Sequence, residues 1–302
     1  MKESSQKGPQ VIAVASGKGG VGKTMISAHL SVSLAELGKK VILIDADFGG
    51  ANLHSLFGIR PSAPSLTDFF QKRCTFQDVV LNTQHQGLWF IGGHNARFDM
   101  ANIQHALKLK FLRQLEKLPV DYIILDVGAG TSFHVVDFFL AASKKLVVTT
   151  PSQTSIENMY HLLRAAVIRK IKEVLKEHKA EHYLKDGAEE AIVLRRISPK
   201  RFVECVYSKD RDLGQALARH LTKLDVNLVV NKTQAASDVE LGQAIASSFY
   251  DHFGWKLKQL GCVSKDTSVE ALERRGTLSA VLSATKTPFL ADVQSIASNL
   301  AS

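Results

Sequence analysis

Cysteine is scarce. The three residues, Cys74, Cys205 and Cys262, stand far apart in a chain of 302 with no CxxC pair. That argues against a disulfide scaffold and against a local zinc or iron–sulfur motif, and it fits a reducing cytoplasm. No apolar run approaches the roughly 18 residues of a membrane span. The opening residues, Met1-Lys2-Glu3-Ser4-Ser5-Gln6-Lys7-Gly8-Pro9, lack an apolar core, so no secretory signal is expected. Internal repeats and low-complexity tracts are missing as well. The rest is ordinary globular composition, 45% hydrophobic and 22% charged, ample for a core. At this length, one large α/β domain or two small ones are expected. Lys plus Arg total 38 against 29 Asp plus Glu, a formal net charge of +9. Such an excess permits a nucleic-acid or anionic-membrane partner without demonstrating one.

Behind a polar tail of residues 1–10, Val11-Ile12-Ala13-Val14-Ala15 is an apolar run that ends in a Gly-rich loop, Ser16 to Gly22. Thr24 to Leu37 reads as a helix, with Ile26, Leu30, Leu34 and Leu37 on one face and Gly38 as the stop. Val41-Ile42-Leu43-Ile44 is a second strand, and similar runs recur at 122–125, 146–149 and 228–230. Continuous hydrophobicity marks parallel strands covered on both faces. Alternation with helices predicts an α/β fold, a doubly wound, mostly parallel sheet with helices on both faces. Such a sheet carries its ligands at the carboxyl ends of the strands.

The interval from about Ile156 to Val226 is too long for one crossover helix. Its first part, Ile156 to Leu175, has apolar residues at Ile156, Met159, Tyr160, Leu163, Val167, Ile171, Val174 and Leu175, a helical stripe. Its segment from about 164 to 224 is expected to be a basic helical insertion within a single domain spanning 11–302. Between Arg164 and Arg201 it holds 11 Lys/Arg against 6 Asp/Glu. Arg195-Arg196, Lys200-Arg201 and the neighbouring cations could meet DNA, acidic lipid or a partner protein, or simply form a solvated face. His161, His178 and His182 are better explained by exposed helix positions than by a metal site.

Gly17-Lys18-Gly19-Gly20-Val21-Gly22-Lys23-Thr24 matches GxxxxGK[ST], after a strand and before a helix. Glycines let backbone N–H groups turn toward phosphate oxygens, and the helix N-terminus adds its positive dipole end. Lys23 would meet the β- and γ-phosphates, and the Thr24 hydroxyl would ligate Mg²⁺.

With its extra lysine, Lys18, this loop resembles the deviant Walker A loop of the MinD/ParA family of ATPases. Asp45-Ala46-Asp47-Phe48-Gly49-Gly50-Ala51-Asn52-Leu53 is similar to that family's switch I. Ile124-Leu125-Asp126-Val127-Gly128-Ala129-Gly130 is similar to its Walker B and switch II segment. The resemblance is strong over residues 10–160 and weaker over 226–300. It implies that Lys18 reaches across an ATP-bound homodimer to the facing subunit's phosphates, that Asp47 positions the attacking water, and that Asn52 closes the same segment. It also implies metal ligation by Thr24, Asp47 and Asp126. Asp45 could share the metal's shell or act as a strand-end cap. Gly128 stands where many relatives have proline, which predicts a more flexible loop. Gly130 keeps the close backbone approach needed for γ-phosphate sensing.

Asn231, at the end of Leu228-Val229-Val230, resembles the family's adenine contact, since an amide can pair with the base's donor and acceptor edge. Gln234 stands where a GTPase would want an aspartate, so ATP is favoured over GTP. Asp266 resembles a residue of the next base-side loop, where Ser264 replaces the usual proline. Among the family's branches, the C-terminus lacks the iron carriers' cysteine pair, and residues 131–135 lack the nitrogenase iron protein's cluster cysteine. The loop begins too early for the N-terminal DNA-binding domain common in partitioning ATPases. The leader lacks the FlhG partner-activating glutamine motif. The stripe Phe289, Leu290, Val293, Ile296, Ala297 and Leu300 carries too few cations for a membrane-surface helix, and so reads as packing on the sheet.

The implied function is an ATP- and Mg²⁺-dependent switch of the MinD/FlhG kind, dimeric with ATP and slow to hydrolyse without an activating partner. It would act in the cytoplasm, or peripherally at membrane or nucleoid, on the placement or number of a flagellum or division machinery. The alternatives are a ParA-like DNA-binding partitioning ATPase and an ATP-dependent metabolic enzyme of the same fold.

Overall fold

The computed structural model describes residues 8–47, 50, 52–60, 62–93, 111–186, 189–190, 197–255, 257–274 and 287–302. Among them runs an eight-stranded sheet in the order β10-β9-β6-β1-β5-β2-β4-β3. Its strands are β1 (Gln10–Ser16), β2 (Val41–Ala46), β3 (Leu81–Asn82), β4 (Leu88–Ile91), β5 (Tyr122–Ala129), β6 (Lys144–Thr149), β9 (Val226–Thr233) and β10 (Lys258–Ser264). All neighbours pair in parallel except β3 with β4. The short pair β7 (Lys185–Asp186) and β8 (Glu189–Glu190) stands apart. The expected doubly wound α/β fold is therefore what the chain adopts. Gln10 belongs to β1, its N–H donating to Asp121 O at 2.9 Å, so the ordered sheet claims the last residue of the polar tail.

One face carries α1 (Lys23–Glu36) and α10 (Pro288–Ala301). Helix α1 is buried nearly all round, wedged between sheet and α10, and its Ser31 hydroxyl donates back to the Ser27 carbonyl one turn earlier. Phe289, Val293, Ile296, Ala297 and Leu300 of α10 are buried, as the stripe predicts. The other face carries α4 (Phe133–Ala141), α5 (Gln153–Glu177), α7 (Arg211–Thr222) and α8 (Ala236–Phe253).

The boundary drawn at position 164 falls inside α5. That helix is continuous over 25 residues, and Met159, Leu162, Leu163, Ala166, Val167, Ile171, Val174 and Leu175 form one buried stripe along it. A stripe that long belongs to the core beneath it, so α5 is the crossover helix and the extra segment begins only after it. That segment includes α6 (Pro199–Lys209) and α7, the latter buried through Leu213, Leu217 and Leu221. Two of its cations lie over aromatic rings of the same face, Lys200 over Tyr250 at 5.2 Å and Arg211 over Tyr207 at 5.8 Å. Arg195 and Arg196 lie outside the described residues. Among the described residues, no helix is long and apolar enough to cross a membrane.

Candidate functional site

The chain leaves β1 toward β2 on one side and leaves β5 toward β6 on the other. Such a reversal opens a crevice at the carboxyl ends of the strands. Register places Asp45 opposite Asp126 and Ser16 opposite Ala129. Gly22, at φ 87°, turns the loop into α1, and Lys23 is the first residue of that helix. Helical spacing then sets Lys23, Thr24 and Ser27 on the side facing β5.

All three converge on Asp126, which is 1% exposed. Lys23 Nζ donates to Oδ1 at 2.9 Å, Ser27 Oγ to the same oxygen at 2.7 Å, and Thr24 Oγ1 to Oδ2 at 2.9 Å. Lys23 Nζ also lies 3.8 Å from Asp47 Oδ2. Two buried charges are tolerable here because each is paired and hydrogen-bonded. Asp45 is buried beside them and accepts from the backbone N–H groups of Asp47 and Leu53, both at 3.2 Å. It thus ties the two ends of the switch I segment and caps α2 (Leu53–Leu56). Burial, with the Asp126 charge beside it, pushes its carboxyl up to about 7. Ser27 is absent from the motif reading, although its position four residues after Lys23 on one helix face would have located it.

The loop's glycines have separate reasons. A Cβ at Gly17 would meet the Asn158 backbone at 2.1 Å, so that glycine serves the packing of α5 against the loop. Gly19, Gly20 and Gly130 face open space, with φ 80° at Gly20 and 89° at Gly130. The N–H groups of Gly19, Gly20, Val21 and Gly22 donate to no other described residue, which leaves a row of donors for an anion. Gly130 N–H is held by Ser16 O at 2.9 Å, fixing this turn against β1. Gly128 lies within β5 rather than in a free loop. A Cβ there would stand 3.2 Å from Asp47 Oδ1 and 3.3 Å from Val135, so its bare backbone makes room for the switch carboxylate.

Lys18 does not join the Lys23–Asp126 group; its Nζ donates to Thr154 Oγ1 of α5 at 3.1 Å. Nothing in the local sequence signals Thr154 as that partner. Asn52 is exposed at the start of α2, its carbonyl accepting from Ser55. It is not joined by any observed bond to the Lys23–Asp126 group.

Across the crevice, Asn231 is buried at the end of β9, but its Nδ2 donates to Val21 O at 2.7 Å. A Cβ at Gly22 would meet that nitrogen at 2.3 Å. The amide therefore clamps β9 to the phosphate loop, and its oxygen and second N–H remain for a base. Asp266 caps α9 (Thr267–Arg274), accepting from Ser268 N at 2.9 Å and Val269 N at 3.3 Å. It also lines a cavity of about 320 Å³ with Gln234, Lys265, Thr267 and Pro288.

Donors for phosphate, with a hydroxyl and carboxylates for a cation, fit the polyphosphate of a nucleotide with Mg²⁺. Among the described residues, no three His, Cys, Asp or Glu side chains are grouped to hold a metal alone.

A family model, ParA, described as an NUBPL iron-transfer P-loop NTPase, matches residues 8–172. The chain belongs to this family. It is 36% identical over 168 residues to the antiactivator FleN of Pseudomonas aeruginosa, covering 54% of this chain and 59% of that protein. It is 35% identical over 168 residues to the septum site-determining protein MinD of Synechocystis, covering 54% and 62%. The flagellum site-determining protein YlxH of Helicobacter pylori is 34% identical over 155 residues, covering 51% and 52%. The chain thus spans between half and two thirds of the length of these relatives. In fold it is similar to the septum site-determining protein MinD of Pyrococcus horikoshii complexed with Mg-ADP. That likeness has a TM-score of 0.62 at 20% identity, over 97% of this chain and 96% of that one.

Proposed function

We propose that this P-loop NTPase binds and hydrolyses ATP as a switch of the MinD/FlhG kind. Its output is a dimer that forms with ATP and dissolves after hydrolysis on stimulation by a partner protein. The regulated object is a flagellum or the division machinery, in line with what FleN, YlxH and MinD are named for.

The residues divide the work as follows. The loop's N–H groups and Lys23 receive the β- and γ-phosphates, and Lys23 exchanges its contact with Asp126 for them. Thr24 and Asp126, released from that lysine, would hold Mg²⁺. Bound Mg²⁺ supplies charge neutralisation on the phosphates. Asp47 accepts a hydrogen bond from the attacking water and so orients it. Asp45 fixes the ends of the segment that carries Asp47.

The single observation behind the dimer is Lys18. The loop already has a buried cation in Lys23, and Lys18 instead donates to Thr154. A second cation at the phosphates is useful where an anion on a facing subunit draws it. Lys18→Ala is therefore expected to keep monomeric nucleotide binding and to lose ATP-induced dimerisation. Light scattering with Mg²⁺ and a non-hydrolysable ATP analogue reads this directly. Dimerisation equal to the parent's would overturn the proposal.

A further inference from the structure

Lys232 follows Asn231 and has φ 61°. The left-handed region is uncommon for a lysine and persists only where the surroundings impose it. Two contacts do so here. The Lys232 stem runs over Gly22, its Cε 3.9 Å from where a Cβ would stand. Its Nζ then pairs with Glu270 Oε1 of α9 at 3.2 Å. The ion pair therefore bridges the end of β9 and α9, passing above the phosphate loop.

Beneath it lies a cavity lined by Gly22, Met25, Asn231, Asp266, Val269 and Phe289, with a volume of about 20 Å³. That is room for one or two water molecules and no more. The space beside Asp266, on the outer side, is about 320 Å³, the size at which small-molecule sites begin. A purine seated against Asn231 needs the inner space, and Lys232 and Glu270, which also line it, tie β9 to α9 across it. Val269 of α9, buried in the core with Phe289, holds the apolar side of the same junction.

We infer that the Lys232–Glu270 ion pair is a latch on the base end of the nucleotide site, which closes the empty site and must break before a purine enters. The inference rests on the nucleotide-binding reading above. Neither residue belongs to the phosphate machinery. The latch competes with the base alone, because phosphates reach the row of loop N–H groups without moving α9.

Stopped-flow fluorescence with N-methylanthraniloyl-ADP tests this on the full chain. Glu270→Gln should raise the association rate constant by roughly two- to five-fold, the strength expected of a partly exposed ion pair. Dissociation should stay as in the parent, and so should the affinity for inorganic tripolyphosphate measured by competition. Swapping the charges, with Lys232→Glu and Glu270→Lys together, should restore slow entry. An unchanged association rate in a folded Glu270→Gln protein would overturn the latch. Faster dissociation with weaker binding would also overturn it, since Glu270 would then be touching the nucleotide. A parent protein that binds neither labelled ADP nor tripolyphosphate would remove the nucleotide reading itself.

Discussion

The two ends of the crevice are built differently. At the phosphate end, Lys23, Thr24 and Ser27 lie within five residues of one another and meet one buried carboxylate, Asp126, at 2.7–2.9 Å. At the base end, Asn231 and Asp266 come from separate strand–helix units and do not bond to each other. Their side chains hold the structure in place instead, Asn231 on Val21 O and Asp266 on the start of α9. Phosphate is the same in every nucleotide and can be met by a fixed cradle. A base is larger, and the cavity at Asn231 must open to admit it. One end is preformed around a buried charge pair, while the other is held by a neutral amide, a helix-capping carboxylate and an ion-pair latch.

The largest expected effect is on the charged end. Lys23→Ala removes the buried cation from the phosphate cradle, and calorimetry should show ATP affinity reduced by about 100-fold or more. Asp126 keeps Thr24 and Ser27 as donors, so the protein should remain folded, though less stable in urea by about 1–3 kcal/mol. Undiminished ATP affinity in the folded variant would break the assignment of this end to phosphate.

A smaller effect is expected at the neutral clamp. Asn231→Ala leaves the buried Val21 carbonyl without its donor, at a cost of about 1–3 kcal/mol in stability. The more telling readout is ligand class. Because the amide holds the phosphate loop, ATP and inorganic tripolyphosphate should weaken together, by about ten-fold. Loss of ATP affinity alone would make Asn231 a base reader only, and would separate the two ends more sharply than the structure does.

That difference also explains what could be read from sequence. The strand–loop–helix motif fixes its own geometry within eight residues, so Gly17 to Thr24 is legible without coordinates. Asp126 and Asp45 are legible as polar ends of apolar strands, and their register opposite each other follows from a parallel sheet. Thr154, Glu270 and the Asn231–Val21 bond are not legible, because each depends on where two distant segments pack. The expected boundary at 164 fails for a different reason, since the helical stripe over 156–175 is legible but is cut by a count of charges. Arg164 and Arg169 look like the opening of a basic segment in a linear count. On the helix they flank a buried stripe through Leu163 and Val167 that belongs to the core. Gly128 misleads in a related way, since a glycine in place of the relatives' proline suggests a looser loop, whereas its neighbours in space are Asp47 and Val135.

The smallest expected effect concerns His29, which lies behind the base end. Its ring meets Phe289, a wall of the inner cavity, edge-on at 5.1 Å. It is 1% exposed, and neither Nδ1 nor Nε2 has a hydrogen-bond partner among the described residues. Burial lowers its pKa from 6.5 to about 4, with His85 adding to the effect. Between pH 4 and 6.5 the unfolded chain therefore binds a proton that the folded chain refuses. Stability from this group is complete above pH 6.5 and is lost as the pH falls toward 4. At pH 5 the loss is about 2 kcal/mol at most. Asp45 acts in the opposite sense, since its raised pKa makes the folded chain hold a proton as the pH drops from about 7 toward 4. The two slopes partly cancel in the parent. His29→Leu removes one of them and also removes two buried unpaired nitrogens, so at pH 7 it should be neutral or slightly stabilising. In urea titrations at pH 7 and pH 5, the variant should be more stable at the lower pH, and its advantage over the parent should grow there. An advantage that does not change with pH would mean that His29 takes up its proton in the folded protein as readily as in the unfolded chain. The base end would then be wetter than its packing against Phe289 indicates.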